Sequence, residues 1–160
     1  MSDRYWVYLT SNCSVELISN DMYEDFLFQY DNMLAENFAP FGVHHCGQSM
    51  ERYTESYARV KNLAFAEIGA GSDFAYVKDT MPADVFLNVR YSPVMLKNRT
   101  NAEIRADLER IRNIIEDEKI RFSVSCVAID ADTEDEKIVS FINACNEIFN
   151  QSRREFAQVS

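Results

Sequence analysis

Residues 41–49, FGVHHCGQS, contain both histidines of the chain and one of its four cysteines. Imidazole nitrogen and thiolate sulfur are donors that proteins use to bind zinc. Side chains alternate sides along a strand, so His44 and Cys46 point the same way where this segment ends a strand, and His45 points the other way. Gly47 follows at once, where the chain turns without side-chain obstruction. The segment therefore predicts an imidazole and a thiol that converge on one point.

A third donor has to come from another strand that ends at the same height. Cys126 lies near the end of RFSVSC, a later segment with the pattern of a strand. A set of His44, Cys46 and Cys126 leaves a fourth position open, which is typical of a catalytic zinc and not of a closed structural one. The alternative is that the two cysteines are small buried hydrophobic residues and that the histidines are surface or hydrogen-bonded polar residues.

Four further positions are weaker candidates. Glu67 and Asp73 flank the turn-forming GAGSD, where a carboxylate could support the metal, bind it or lie in a solvated turn. Arg90 ends a strand and could bind a substrate carboxylate or sulfonate in bidentate fashion, or form an ordinary salt bridge. Asn12 ends the first strand and could line the pocket or belong to a turn. Cys13 follows directly on that strand end, and we do not expect it to be a ligand.

Short continuous apolar runs, typical of strands, alternate along the chain with longer segments whose apolar residues recur at helical spacing. Ser19 is the expected N-cap of a long helix whose aromatic residues Tyr23, Phe26 and Tyr30 form a core stripe by their spacing. Another helix is predicted at residues 50–60. Two T-x-x-E capping boxes precede the last two helices: Thr100 with Glu103, and Thr133 with Glu136. Strands are predicted at residues 5–12, 42–46, 63–69, 84–90 and 121–129.

This alternation predicts an α/β fold in which helices cover a parallel sheet. About five strands without an obvious dinucleotide-binding loop indicate a partial TIM (β/α)8 barrel, since a full barrel takes about 250 residues. The 160 residues, with no linker or low-complexity segment, are expected to form a single domain over residues 1–160.

Composition excludes several classes of function. A hydrophobic content of 47% and an aromatic content of 12% are typical of a folded globular protein. A net charge of −10 argues against nucleic acid as a partner. No stretch approaches the roughly 18 apolar residues of a spanning helix, and the N-terminus lacks the layout of a signal peptide. We therefore expect a cytoplasmic protein with no membrane partner, whose cysteines are thiols or metal ligands and not disulfides.

Four groups of segments, in this order, carry a resemblance to a known family: SNCSVELISNDMYEDFLFQYDNMLAE, GVHHCG, NVRYSP with KNRTNAEIRADLERI, and SVSCVAIDADTEDEKIVSFINAC. The chain resembles the C-terminal part of the uroporphyrinogen decarboxylase superfamily. The H-x-C…C set resembles its branch of zinc-dependent, cobalamin-linked methyltransferases. The resemblance implies that His44, Cys46 and Cys126 are zinc ligands. Separately, their places at strand ends make Asn12, Glu67 and Arg90 candidates for binding substrate.

The resemblance further implies methyl transfer between a methyl-corrinoid (cobalamin) on a corrinoid partner protein and a small-molecule acceptor, a thiol or related compound. It covers only the last five strands of an eight-stranded barrel, so enzymatic activity is expected when the barrel is completed. Completion could come from a complementary N-terminal half or from self-association. Two alternatives remain open: a truncated, non-catalytic metal-binding or scaffold chain, and a uroporphyrinogen decarboxylase-like enzyme, against which the H-x-C…C set argues.

Overall fold

The computed structural model describes residues 6–115 and 120–156. The strands in these ranges are β1 (Tyr8–Ser11), β2 (Phe41–His44), β3 (Leu63–Ile68), β4 (Phe86–Arg90) and β5 (Phe122–Ser125). The helices are α1 (Asn20–Phe26), α2 (Phe28–Asn37), α3 (Glu51–Tyr57), α4 (Phe74–Thr80), α5 (Pro93–Asn98), α6 (Asn101–Ile114) and α7 (Asp135–Phe156), with a 3-10 turn at Val15–Leu17.

The five strands form one sheet in the order β1-β2-β3-β4-β5. Neighbours from β1 to β4 pair in parallel. Leu87 donates its N–H to Arg121 and Tyr91 donates to Ser125, so β5 runs in the same direction. Strand order follows chain order, without the reversal that marks a doubly wound sheet. The predicted α/β class, with five parallel strands arranged as in part of a TIM barrel, is confirmed.

The described residues group into two compact units. The first unit comprises the described residues up to Arg90 together with the start of β5, as far as Ser123. The second comprises the described residues from Tyr91 to Ile115 and those from Val124 onward. The prediction of a single domain remains a prediction. The core of the first unit includes Tyr23, Phe41, Val43, Tyr53, Tyr57, Ala66, Ile68, Val77, Leu87 and Val89; that of the second includes Leu96, Ile104, Leu108, Ile111 and Phe141.

The long helix predicted after Ser19 is broken, and part of its predicted core stripe is wrong. Ser19 is the N-cap, and its hydroxyl accepts the Met22 N–H at 3.2 Å. The helix then divides at Leu27 into α1 and α2. Tyr23 is buried, but Phe26 is 62% and Tyr30 is 54% exposed. Tyr30 lies in α2, beyond the break, so it no longer shares a helix face with Tyr23. Phe26 lies in α1 with Tyr23, and its exposure shows that the buried face of this helix is narrower than the apolar spacing suggests.

The two predicted capping boxes have different outcomes. Thr100 and Glu103 form both halves of a capping box at α6, as predicted. The box at Thr133 is wrong, because α7 begins at Asp135 and the buried Thr133 hydroxyl makes no hydrogen bond to a described residue. The preceding turn is instead closed by the Thr133 N–H, which donates to the Asp130 carbonyl at 2.9 Å.

The short helices α4 and α5 were not predicted. The Asp73 carboxylate caps α4 by accepting the N–H groups of Ala75 and Tyr76. Ser92 caps α5, in which proline occupies a first-turn position. Among the described residues, no helix is both long and apolar enough to cross a bilayer.

Candidate metal centre

The candidate centre lies where β1 and β2 end side by side. Ser11 pairs with His44 in the sheet, and the Asn12 N–H donates to the His44 carbonyl at 3.0 Å. Because parallel strands end at the same edge of a sheet, the residues that follow each strand meet there. This pairing brings Cys13, after β1, next to His44 and Cys46, at the end of β2.

Cys13, His44 and Cys46 place one ligand atom each within 4.8 Å of one another. His44 Nε2 lies 3.3 Å from Cys46 Sγ, which confirms that the two side chains point the same way. A tetrahedral zinc with Zn–N near 2.05 Å and Zn–S near 2.3 Å separates its nitrogen and sulfur ligands by about 3.6 Å. The spacing of these donors therefore suits a zinc ion with little movement.

The second nitrogen of His44 contacts a buried carboxylate. His44 pairs with Glu67 in the β2–β3 register, and its Nδ1 is hydrogen-bonded to Glu67 Oε2. A carboxylate only accepts, so Nδ1 carries a proton, and Nε2 is the ring nitrogen that faces Cys46. A carboxylate on the outer nitrogen of a histidine ligand fixes its tautomer and raises its basicity. Glu67 is thus placed to orient His44 toward a metal.

Arg90, at the end of β4, holds the loop after β2. Its guanidinium donates to the carbonyls of Cys46 at 2.9 Å and Gly47 at 2.8 Å, and its Nε lies 3.6 Å from Glu67 Oε1. Glu16 contacts the same loop, because its carboxylate accepts the Gln48 N–H at 2.7 Å, and a Cβ at Gly47 would displace the Glu16 side chain. The loop that carries Cys46 is therefore held from both sides.

The two thiols of the centre differ in acidity. The pKa of Cys13 is lowered from its ordinary value by hydrogen bonds with Ser11 and Cys46, and Ser11 Oγ lies 3.0 Å from its sulfur. The pKa of Cys46 is raised, first because it hydrogen-bonds Cys13. Cys13 is therefore the first of the pair to become a thiolate, which is the form that binds metal.

A buried polar network lies behind Cys13. The Asn12 side chain donates to Asp31 at 2.9 Å, and the Tyr23 hydroxyl donates to the same carboxylate oxygen at 2.7 Å. Burial, and next the Asp31 charge, raise the pKa of Tyr23, so its hydroxyl keeps the proton that it donates. Asn12 is thus fixed through both its backbone and its side chain, and the position of Cys13 follows from it.

His45 points away from the centre, as strand alternation predicts. It is fully buried between Tyr53 and Tyr57. Its Nε2 donates to the Ser49 carbonyl at 3.0 Å, and Nδ1 therefore accepts from the Tyr57 hydroxyl at 3.2 Å. Burial lowers the pKa of His45, which keeps the ring neutral. His45 is a packing residue.

The remaining sequence candidates have definite places. Cys126 follows β5, belongs to the second unit and is not a member of the Cys13, His44 and Cys46 group, so its role as a ligand stays a prediction. Burial raises the pKa of the Cys145 thiol in α7 to about 11. All four cysteines are free, as expected. The Asp73 carboxylate accepts hydrogen bonds from the first turn of α4 and serves as its N-cap.

Sequence reasoning missed two residues of this region. The sequence does not predict Cys13 as a ligand, although it lies two residues beyond the end of its strand, as Cys46 does. The second is Asp31 in α2, which is buried and hydrogen-bonded to Asn12, the residue before Cys13. The roles expected for Asn12, Glu67 and Arg90 in substrate binding remain predictions, and in the structure these side chains bind Asp31, His44 and the loop carbonyls.

Comparison with known proteins adds one finding about the fold. No family model matches the chain, and no curated protein matches it. Among solved structures, the chain is similar to a methyltransferase from Methanosarcina mazei, with a TM-score of 0.66 and 18% sequence identity. The likeness covers 89% of this chain and 42% of that chain, so the chain spans less than half of that protein's length. At this identity the likeness shows a shared fold.

Proposed function

We propose that the chain carries the metal centre of a zinc-dependent methyltransferase, which moves a methyl group between a corrinoid protein and a small acceptor such as a thiol. The observation that carries the proposal is the imidazole and thiol of His44 and Cys46 at the carboxyl end of a parallel sheet, with Glu67 on the outer nitrogen of His44. Active sites of barrel enzymes lie at this end of the strands. The methyltransferase from Methanosarcina mazei shares the fold.

The donor set suits zinc better than other common metals. Sulfur together with imidazole selects zinc-type ions, whereas magnesium and calcium prefer oxygen. Bound zinc would lower the pKa of a thiol that joins it, so that the thiol is a nucleophilic thiolate at neutral pH. His44 and Cys46 would hold the metal, and the resemblance adds Cys126 as the third ligand. Three protein ligands leave one position for the acceptor.

The chain's own residues prepare the site for such an acceptor. Glu67 keeps the proton of His44 on Nδ1, so that Nε2 is free to bind. Arg90 fixes the carbonyls of Cys46 and Gly47, which limits the movement of the thiol. Cys46 and Cys13 are both exposed, so a small molecule can reach the donors from solvent.

The activity is proposed for a completed barrel. The chain spans 42% of the length of the similar methyltransferase. The strand β1 lies at the end of the strand order, and its Tyr8 and Leu9 are exposed. An edge strand with exposed apolar side chains is a surface on which further strands pair. Strands from a complementary N-terminal half or from a second copy would cover it.

The same exposed edge supports a second candidate, a metal-binding chain that acts only as a scaffold. Such a chain would bind zinc through its protein ligands but would not need an open position for a thiol. The two candidates therefore differ in what happens when a small thiol is added to the metal-loaded chain.

Cobalt substitution tests the proposal directly. The untagged chain is loaded with Co²⁺ in place of zinc, and 2-mercaptoethanol is titrated while the sulfur-to-cobalt charge-transfer band is followed. We expect the intensity of the band to grow and saturate, because an added thiolate fills the open position. In His44→Ala we expect no such saturable increase. Methylcobalamin with the zinc-loaded protein should then lose its methyl group to the thiol in a zinc-dependent manner once the barrel is completed.

A Co²⁺-loaded chain whose band does not respond to thiol would contradict the methyltransferase proposal and favour the scaffold. Glu36→Gln, which changes an exposed carboxylate paired with Lys61, is the matched control and should behave as the unaltered chain.

A further inference from the structure

The geometry points to Cys13, and not Cys126, as the second sulfur ligand of the metal centre. The site would then be complete within the first compact unit, built from Cys13, His44 and Cys46. This inference rests on the proposed function in that it concerns the same metal. The sequence alone instead predicts that Cys126, which follows β5, is that ligand and that Cys13 is not.

Strand pairing fixes where Cys13 lies. Ser11 pairs with His44, and the Asn12 N–H donates to the His44 carbonyl, so the chain stays in register with β2 until the residue before Cys13. Cys13 is therefore the first residue after β1 whose backbone is not held in the β1–β2 pairing. Cys46 occupies the equivalent place two residues beyond the end of β2.

The segment before Cys13 is held in place by buried groups. Asp31 is almost fully buried and accepts hydrogen bonds from Asn12 and Tyr23. A buried carboxylate with two donors has little freedom to move, because losing either bond leaves a charge partly unsatisfied in a medium of low dielectric. The Cys13 thiol is thus presented from a rigid support, as a metal ligand requires.

The donor atoms already stand at ligand spacing. The two sulfurs and the imidazole nitrogen lie within 4.8 Å of one another, and the ligands of a tetrahedral zinc lie about 3.6–3.8 Å apart. The Ser11 hydroxyl lies 3.0 Å from Cys13 Sγ and can donate a hydrogen bond to the thiolate. These three donors make a three-ligand site with one open position, and no fourth protein donor is needed.

Zinc affinity of single variants tests the inference without any assay of activity. The untagged, reduced chain and its Cys13→Ser, Cys126→Ser and Cys145→Ser variants compete with a chromophoric chelator for Zn²⁺. We expect Cys13→Ser to weaken binding at least about 100-fold, since loss of an outer-shell partner alone costs about 10–100-fold. Cys126→Ser and the control Cys145→Ser should change it by less than about tenfold.

Thiol protection in the unaltered chain gives a second measurement that does not depend on a variant folding. Cys13 and Cys46 are exposed, so iodoacetamide should modify both, and their rates are followed by peptide mass spectrometry. Zn²⁺ should slow the modification of Cys13 and Cys46 together. A Cys13 rate that ignores zinc while Cys46 is slowed would overturn the inference. So would loss of zinc binding in Cys126→Ser.

The inference and the proposed function fail in different ways. If the Cys13 protection holds and Co²⁺-loaded chain does not respond to thiol, the ligand assignment stands and the methyl-transfer proposal falls. If thiol binds at the metal but Cys126 and not Cys13 is protected by zinc, the proposed function stands and the assignment of Cys13 is wrong.

Discussion

Replacing Glu67 by glutamine tests how the centre is oriented. The Glu67 side chain is only 9% exposed and accepts a hydrogen bond from His44 Nδ1. Glutamine keeps the shape and an oxygen acceptor but removes the charge. A hydrogen bond to a charged group contributes about 1.5–3 kcal/mol and a neutral one about 0.5–1.5 kcal/mol. Because a bound metal makes the imidazole N–H more acidic, the carboxylate bond strengthens on metal binding, and glutamine should lose about 1–1.5 kcal/mol of binding free energy. We therefore expect roughly tenfold weaker zinc binding.

The assay is competition for Zn²⁺ between the chain and a chromophoric chelator at constant pH and ionic strength. Glu36→Gln is the control, because its carboxylate is 51% exposed and its ion pair with Lys61 is screened by solvent. Far-UV circular dichroism checks that both variants fold. Zinc affinity that is unchanged in Glu67→Gln, or equally reduced in both variants, would refute the role of Glu67 in orienting His44.

Three further predictions concern stability. Tyr23→Phe removes the donor to buried Asp31 and should lower the free energy of unfolding by about 1–3 kcal/mol in urea titrations. Hydrogen bonds from the backbone and side chain of Thr100 lower the pKa of Glu103 below its ordinary value of 4.5. The carboxylate therefore stabilises the fold above about pH 4.5, and this contribution is lost as pH falls through the lowered pKa. Glu103→Gln should destabilise the fold near pH 7, and the effect should shrink as the pH falls through that lowered pKa. Gly69→Ala brings a methyl group against carbonyl oxygens of the loop after β2, one of them 2.6 Å away, and should lower both the melting temperature and zinc affinity.

Each of these predictions has a result that would contradict it. A Tyr23→Phe chain as stable as the parent would mean that Asp31 finds another donor. A Glu103→Gln effect of equal size at both pH values would show that charge is not involved. Gly69→Ala with unaltered affinity would mean that the loop moves without disturbing the ligands.

Local patterns in the sequence predicted much of the candidate site. Strand alternation has a period of two, so the shared direction of His44 and Cys46 follows from their spacing alone. The Thr100 capping box likewise depends on residues three apart. The same pattern at Thr133 failed, because Asp135 and not an earlier residue begins the helix.

Features that depend on long-range packing could not be predicted from local sequence patterns. Cys13 joins the centre because β1 and β2 are neighbours in a particular register, and sequence spacing does not record that pairing. The exposure of Tyr30 follows from the break at Leu27, and that of Phe26 from which part of α1 is covered. Hydrophobic spacing reports neither. Short helices such as α4 have too few turns to give a periodic pattern, so in the sequence only their capping residues indicate them.

A metal centre is tested most directly by the zinc content of the untagged, reduced chain, measured by mass spectrometry after dialysis, beside His44→Ala prepared in the same way. We expect about one zinc per chain, as for a single three-ligand site, and loss of that zinc in His44→Ala. No zinc in the unaltered chain after incubation with Zn²⁺, or equal zinc in both proteins, would contradict a metal centre at the ends of β1 and β2.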